Sequence, residues 1–237
     1  MLLNILKPKG MTSHDVVDFV RRILEQKPAV AVLGRAAPAK ARYGGRRRVG
    51  HAGTLDPFAT GVLVVGVGRE DTKKLSVITK NTEKEYIATL ELGKTSSTGD
   101  PEGVIKPTIT NLAKISFPRL SRVKDVLKEF KGEIEQTPPA YSAIKLKGIP
   151  AYKLARRGKS VKLPQRKVRI YELKLLSYEP PFLKIRVVCS AGTYIRSLAE
   201  DIGKKLGTGA YLIELERIRV GDFKIENSVP LAKLNPI

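Results

Sequence analysis

Cysteine and histidine are scarce in this sequence, which contains a single cysteine, Cys189, and two histidines. One cysteine excludes an internal disulfide framework and is typical of a reducing compartment, so we expect a cytoplasmic protein. One cysteine and two histidines also fall short of the ligands that a structural zinc site of the usual kind requires. We therefore expect no metal, and any chemistry has to rest on other side chains.

Long hydrophobic runs are lacking as well. The longest run, residues 61–68, is far shorter than the roughly 20 residues that a membrane-spanning helix needs. The first apolar stretch, residues 2–6, is soon followed by Pro8 and is too short for a signal peptide. The sequence therefore predicts neither a membrane span nor secretion.

Acidic residues are too few to balance the basic ones, because 44 lysines and arginines face 23 aspartates and glutamates, a net charge of +21. A positive field of this size favours a polyanionic partner, and nucleic acid is the usual one. A generic basic surface and a binder of anionic membranes are the alternatives that charge alone leaves open.

Part of the charge excess lies in residues 28–48, which contain no acidic residue and no hydrophobic periodicity. Their basic residues are Arg35, Lys40, Arg42, Arg46, Arg47 and Arg48. We interpret this segment as a flexible basic loop, which is either an arm that contacts RNA or a solvated linker.

Hydrophobic patterning predicts one domain of α+β class over residues 1–237. A short apolar segment spans residues 2–6, and strand patterns occur at 62–67, 84–92, 166–178, 182–189 and 210–220. The alternation at 182–189 places Leu183, Ile185, Val187 and Cys189 on one face, and residues 94–103, rich in Ser, Thr and Gly, predict a loop. The predicted caps of the three helical stripes are Thr12 or Ser13, Ser121 and Thr193, and Asp15 completes a capping-box spacing from Thr12. Because strands follow one another without a regular βαβ repeat, we expect a mixed, largely antiparallel central sheet with flanking helices. Residues 135–165, with two adjacent prolines and several basic residues, are interpreted as an excursion from the core.

The most informative segment is residues 50–61, which read GHAGTLDPFATG. Glycines and a proline there hold the acidic side chain of Asp56 on a rigid turn beside a strand. The segment is no phosphate-binding loop, because the Lys-Ser/Thr ending of that motif is missing. An aspartate before a proline is often only a turn former, so the local sequence leaves both interpretations open.

Residues 50–61 resemble the catalytic motif of the bacterial tRNA pseudouridine-55 synthases, G-H-x-G-x-L-D-P-x-A-T-G. Other segments resemble the same family in the same order: residues 7–13 (KPKGMTS), 84–86 (KEY), 136–145 (QTPPAYSAIK) and 189–196 (CSAGTYIR). The resemblance extends from residue 2 to about residue 230. It implies a pseudouridine synthase fold, an RNA-gripping insertion at 135–165, and uridine 55 in the T loop of tRNA as the substrate.

The resemblance implies three catalytic residues. Asp56 is the essential carboxylate, Arg196 pairs with it, and Tyr86 stacks on the target base. Pseudouridine formation breaks the N1–C1′ bond, rotates the uracil and rejoins it through C5, so it needs no redox step and we expect no cofactor. Without the resemblance, Arg196 reads as an exposed helix arginine and Tyr86 as a cross-strand core aromatic.

The resemblance further implies substrate-binding roles for His51, Lys7, Tyr194 and Leu215. His51 would stack in place of a base displaced from the T loop, whereas a histidine in a glycine turn is otherwise a local hydrogen-bonding residue. We expect the T stem-loop of tRNA as the partner, no membrane, no obligatory protein partner and a monomer.

Two features depart from the family. The connection at 28–48 is longer than usual, and the sequence stops at residue 237, where the bacterial enzymes continue into a small RNA-binding domain that we expect to be absent. Two other functions remain open: a guide-RNA-dependent synthase subunit similar to dyskerin, and a non-catalytic RNA chaperone or ribosome-associated binder. The segments at 84–103 and 136–157 favour a stand-alone enzyme.

Overall fold

The computed structural model describes residues 1–25, 48–108, 116–146, 148–159 and 161–234. In chain order the elements are β1 (Leu2–Lys7), α1 (Ser13–Glu25), β2 (Val49–Ala52), β3 (Thr60–Val67), α2 (Arg69–Asn81), β4 (Lys84–Leu92), β5 (Lys94–Ser96), β6 (Ile105–Pro107), α3 (Leu120–Glu129), β7 (Gly132–Gln136), β8 (Lys145–Leu146), β9 (Ile149–Pro150), α4 (Ala151–Ala155), β10 (Arg166–Glu179), β11 (Phe182–Cys189), α5 (Ile195–Leu206), β12 (Ala210–Val220), β13 (Phe223–Lys224) and β14 (Val229–Pro230). Except for Arg48, the loop predicted at 28–48 lies outside the described residues.

The chain divides into two compact units. The first comprises Met1–Thr82 and Arg217–Ile237, and the second comprises Glu83–Glu216. The expectation that residues 1–237 form a single catalytic domain therefore stays a prediction.

In the first unit, β3 is the strand on which the core is built. It pairs antiparallel with β1 and with β2, and β1 pairs in parallel with β14. Leu63 and Val65 pack in the cluster formed by α1, whereas Val62 and Val64 pack with Leu75 of α2 on the other face. Because both faces are covered, β3 reads in the sequence as a continuous apolar run.

Helix α1 begins with the capping box that the sequence predicts. The Thr12 N–H donates to Asp15 Oδ2 at 2.8 Å, and the Asp15 N–H donates to Thr12 Oγ1 at 3.0 Å. These two bonds satisfy backbone donors that the first turn of a helix leaves unpaired. The bond from the Thr12 N–H also lowers the pKa of the Asp15 carboxyl.

In the second unit, four strands form an antiparallel ladder in the order β4, β11, β10, β7. The alternating residues of β11 that the sequence assigns to one face are fully buried: Leu183, Ile185, Val187 and Cys189. Helix α3 packs against α5 and β10. The α+β class with a largely antiparallel sheet and flanking helices is confirmed, and β8 and β9 form a separate hairpin inside the predicted excursion.

One helix was missed, and two local predictions are wrong. Helix α2 was not predicted, because among its residues only Leu75 is buried and its sequence has little apolar periodicity. The stretch 50–61, predicted as turn, includes part of β2, and the stretch 94–103, predicted as loop, begins with β5.

The predicted caps of two helices are also wrong. Helix α3 follows Arg119 and not Ser121, and α5 follows Tyr194 and not Thr193; neither preceding residue makes a side-chain cap. The Thr193 hydroxyl instead donates to the Ser190 carbonyl at 2.9 Å. A hydroxyl residue near a helix start can thus bond backwards into the preceding turn, which the sequence pattern does not distinguish from a cap.

Candidate active site

Asp56 lies in the turn that joins β2 to β3 in the first unit, where its side chain is half-buried. The residue before it is held by a buried hydroxyl, because Ser13 Oγ accepts the Leu55 N–H at 2.8 Å and donates to the Leu55 carbonyl at 3.0 Å. The residue after it is held too, since the Pro57 carbonyl accepts the Gly10 N–H at 2.8 Å. The backbone on both sides of Asp56 is therefore fixed by the segment that begins α1.

Lys7 contributes to the same turn from inside the protein. It is fully buried, and its ammonium donates to the carbonyls of Pro8 and Met11 at 2.8 and 2.6 Å and to that of Pro57 at 3.3 Å. Such charge-assisted bonds are stronger than those between neutral groups. The structure thus describes Lys7 as a tie between residues 8–11 and the Asp56 turn, and its expected contact with substrate stays a prediction.

Arg217 holds the base of the turn and was missed by the sequence analysis. Its side chain is buried, its Nε donates to the Val62 carbonyl at 2.8 Å, and its Nη2 donates to the Gly53 carbonyl at 3.0 Å. One guanidinium therefore bridges the beginning and the end of the turn. The available signal was its position on β12, two residues after Leu215, where the alternation of a strand places a side chain on the buried face.

His51 lies at the start of the same turn, on β2 opposite Val65. Burial lowers the pKa of the imidazole, and the positive charge of Arg217 lowers it further. Among the described residues, its buried Nδ1 has no hydrogen-bond partner. A neutral, half-buried imidazole is suited to stacking on a base or bonding with it, and less to neutralising a phosphate.

Arg196 lies in the first turn of α5, in the second unit, and is 5% exposed. Its Nη1 donates to the Thr98 carbonyl at 2.9 Å and to Asp100 Oδ2 at 3.1 Å, and its Nη2 donates to the Tyr141 carbonyl at 2.9 Å. Arg196 is therefore a buried side chain whose orientation is fixed by these hydrogen bonds, and not an exposed helix residue. The predicted pairing of Arg196 with Asp56 stays a prediction.

Asp100, which pairs with Arg196, is a second residue that the sequence pattern does not predict. It is buried, and besides Arg196 it accepts the Glu102 N–H at 3.0 Å and the Thr98 hydroxyl. An aspartate within the Ser-, Thr- and Gly-rich stretch 94–103 looks like an ordinary solvated loop residue, so its sequence context carries no signal of burial.

Gly99 lets this loop approach α5. Its φ is +76°, and a Cβ at this position would lie 2.7 Å from Glu200 Oε1 and 3.2 Å from Arg196 Cβ. Burial raises the pKa of the Glu200 carboxyl. The loop, Arg196 and Glu200 thus form one closely packed ionisable cluster in the second unit.

The remaining predicted residues also lie in the second unit. Tyr86 is 8% exposed on β4 and is opposite Val187 of β11. Tyr194 precedes α5, and the Arg166 guanidinium lies 5.4 Å from the centre of its ring. Leu215 is buried on β12.

No helix among the described residues is long and apolar enough to cross a membrane. In the same part of the chain, no group of His, Cys, Asp and Glu side chains is arranged to hold a metal ion. The observed clusters are built from arginine, lysine, hydroxyl and carboxylate groups.

Residues 40–195 match the family described as TruB family pseudouridylate synthase (N terminal domain). The chain belongs to this family. Residues 196–236 match the family described as tRNA pseudouridylate synthase B C-terminal domain. The second match begins in α5 and runs through β12 to β14, and the expected absence of the family's C-terminal RNA-binding domain stays a prediction.

The chain is similar to curated proteins named tRNA pseudouridine synthase B. It is 48% identical over 191 residues to the protein of Francisella tularensis subsp. tularensis (strain WY96-3418), and likewise 48% identical to that of Francisella philomiragia subsp. philomiragia. Each match covers 81% of this chain, and the chain spans 62% of the length of the relative.

Two solved structures share the fold. One is the crystal structure of a Cbf5–Nop10–Gar1 complex, at 30% identity and a TM-score of 0.69, covering 98% of this chain and 53% of the other. The other is an H/ACA RNP bound to a substrate RNA containing 2′-deoxyuridine, at 29% identity and a TM-score of 0.65, covering 98% and 51%.

Proposed function

We propose that this protein isomerises uridine 55 in the T loop of tRNA to pseudouridine. The observation that carries the proposal is the Asp56 turn, in which Ser13, Lys7 and Arg217 fix the backbone around one half-buried carboxylate. Side chains positioned in this way are typical of sites where a charge has to be stabilised in a transition state. Membership of the pseudouridylate synthase family supports pseudouridine formation as the reaction that this carboxylate serves.

In this proposal Asp56 acts on the target nucleotide, as a nucleophile or as a stabiliser of positive charge at C1′. The glycosidic N1–C1′ bond breaks, the uracil rotates, and C5 bonds to C1′. The proton on C5 is then lost and N1 gains one, so atoms balance without oxidant or cofactor. Tyr86 stacks on the base, and its hydroxyl is the candidate group for the proton transfer.

Arg196 keeps the carboxylate ionised and aimed in the proposed site, and the bonds it makes with Thr98, Asp100 and Tyr141 support that role. Such preorganisation lowers the cost of orienting the guanidinium during the reaction. His51, Tyr194 and Leu215 are assigned to RNA binding, and Lys7 to holding the turn.

The target uridine has to leave its stack to reach Asp56, at a cost of about a few kcal/mol. Stacking on aromatic side chains and contacts between basic residues and phosphates offset this cost. The net charge of +21 favours such contacts. We further propose a monomer that acts in the cytoplasm without an obligatory protein partner.

A guide-RNA-dependent subunit is the competing function, and one observation favours it: the similar solved protein Cbf5 is found with Nop10 and Gar1. The higher identity to proteins named tRNA pseudouridine synthase B, 48% against 30%, supports the tRNA enzyme. Incubating the purified protein with unmodified tRNA, without guide RNA or other proteins, separates the two functions. We expect one pseudouridine in the T loop; conversion only after a guide RNA is added would exclude the proposal.

The catalytic assignment is tested by Asp56→Asn. We expect this variant to lose pseudouridine formation while its affinity for tRNA changes by less than about tenfold, or roughly 1.4 kcal/mol. The matched control is Asp222→Asn, since Asp222 is an exposed aspartate of the same unit. Appreciable turnover by Asp56→Asn in a single-turnover assay refutes the role of the carboxylate.

A further inference from the structure

Side-chain hydrogen bonds join the end of β7 to the beginning of α5. β7 ends at Gln136, and α5 begins after Tyr194, which makes no side-chain cap. The first turn of a helix has backbone donors without partners inside the helix, so its position depends on what else binds it.

Gln136 binds both backbone groups of Tyr194. Its Oε1 accepts the Tyr194 N–H at 2.7 Å, and its Nε2 donates to the Tyr194 carbonyl at 3.0 Å. Gln136 is fully buried, and this pair of bonds matches the pattern of two residues facing each other in an antiparallel ladder. A second tie follows directly, because Ser197 Oγ donates to the Thr137 carbonyl at 2.8 Å.

The segment held in this way carries two residues of the candidate site. Gln136 pairs through its backbone with Arg166 of β10, and the Arg166 guanidinium lies over the Tyr194 ring. Tyr194 is therefore bound at its backbone by Gln136 and at its ring by Arg166. Arg196 follows two residues later, with its guanidinium bound to the Tyr141 carbonyl in the same 136–145 stretch.

We propose that Gln136 is a positioning residue, which sets the location of Tyr194 and Arg196 for the isomerisation of uridine. This inference rests on the proposed function, but it assigns to the QTPPAYSAIK stretch a role other than gripping RNA. Misplacing a catalytic group by about 1 Å can reduce a rate by about 100-fold, so loss of these two bonds acts on the chemical step more than on binding.

The test compares Gln136→Met with Val168→Ala. Methionine keeps the length of the side chain but can make neither bond with Tyr194. Val168 is a buried residue of β10 opposite Ile134, so its truncation weakens the same pair of strands without touching Tyr194. Single-turnover rates at saturating tRNA should fall about 30- to 100-fold for Gln136→Met and less than about threefold for Val168→Ala. Because Tyr194 is assigned to RNA binding, Gln136→Met should also lose some tRNA affinity, by a smaller factor than it loses in rate, whereas Val168→Ala should keep its affinity within about threefold.

A readout independent of activity is hydrogen exchange of the Tyr194 amide in the protein alone. Its protection should drop at least about tenfold in Gln136→Met and persist in Val168→Ala, because only the former loses the acceptor. Unchanged protection, or equal rate losses in the two variants, overturns the inference. If the unmodified protein fails to convert uridine in tRNA, the proposed function fails, while the exchange experiment still decides whether Gln136 holds Tyr194.

Discussion

At the residue scale, Lys7 is a lysine buried completely among backbone carbonyls of the first unit. Replacing it by methionine leaves carbonyls of Pro8 and Met11 without this donor, at a cost of about 1–3 kcal/mol for each buried group that stays unpaired. We expect Lys7→Met to lower the free energy of unfolding by about 2–4 kcal/mol in urea denaturation. The neighbouring, exposed Lys9→Met should change it by less than about 0.5 kcal/mol; equal effects would contradict the structural role of Lys7.

At Arg196 we expect geometry to matter more than charge. Its guanidinium donates in three directions, to Thr98, Asp100 and Tyr141, and a lysine ammonium cannot reproduce that planar fork. We expect Arg196→Lys to lower the single-turnover rate by about 100-fold. Arg169→Lys, at an exposed arginine of the same unit, serves as the control. A rate close to that of the unmodified protein would remove Arg196 from the site.

The sequence predicted Asp56 because glycine and proline frame the residue locally and the motif resembles that of a known family. It did not predict Arg217 or Asp100, whose importance arises from burial and from partners far away in the chain. Arg217 binds the carbonyls of Gly53 and Val62, more than 150 residues earlier. Because charged residues are usually exposed, the sequence alone predicts that they are solvated, and only the folded structure reveals partners that bury them.

At the element scale, the close approach of β3 and β12 depends on Gly61. Its φ is +107°, and a Cβ there would lie 2.2 Å from the Arg217 carbonyl oxygen. The strain of a positive φ and the backbone clash add up, so we expect Gly61→Ala to lose more than about 3 kcal/mol of stability or to accumulate as insoluble protein.

Gly10 provides the matched control for this substitution. It also has a positive φ, +86°, but a Cβ would meet nothing within 4 Å. Gly10→Ala should therefore show only the conformational cost, about 1 kcal/mol. If Gly61→Ala and Gly10→Ala have the same unfolding midpoint, the requirement for glycine at position 61 does not come from close packing.

Strong periodicity explains which elements the sequence could predict. β4, β10, β11 and β12 have alternating faces, and their predicted bounds agree with the structure to within one residue at either end. Helix α2 was missed because tertiary packing, and not its own pattern, decides its structure: Leu75 is its one buried residue, and Ile78 is only partly buried against the same cluster. The same limit applies to short strands such as β2 and β5, whose pairing partner defines them.

At the scale of the whole molecule, the charge of +21 predicts binding to RNA that weakens steeply with salt. Each phosphate contact contributes about 0.7–0.9 to the slope of log affinity against log salt concentration. If residues 28–48 form an RNA arm, deleting 28–45 and changing Arg46, Arg47 and Arg48 to Ser should reduce this slope by several units and weaken binding. The rate at saturating tRNA should stay nearly unchanged.

The control for this deletion removes positive charge elsewhere, by changing the exposed Lys73, Lys74 and Lys80 of α2 to Ser. An arm in contact with phosphates predicts a larger loss of slope per charge in the deletion variant than in this control. An unchanged slope would identify residues 28–48 as a solvated linker.

The single thiol of the sequence, on Cys189, is fully buried in β11, where its Sγ contacts the Lys84 carbonyl at 3.7 Å. Because the thiol is fully buried, a reagent in solution can reach it only when the packing around β11 opens, so labelling is limited by opening of the second unit. The rate at which Cys189 is labelled therefore reports this opening without an engineered probe. A bound RNA that stabilises the second unit would slow the labelling, and the change in rate would measure how strongly binding stabilises that unit.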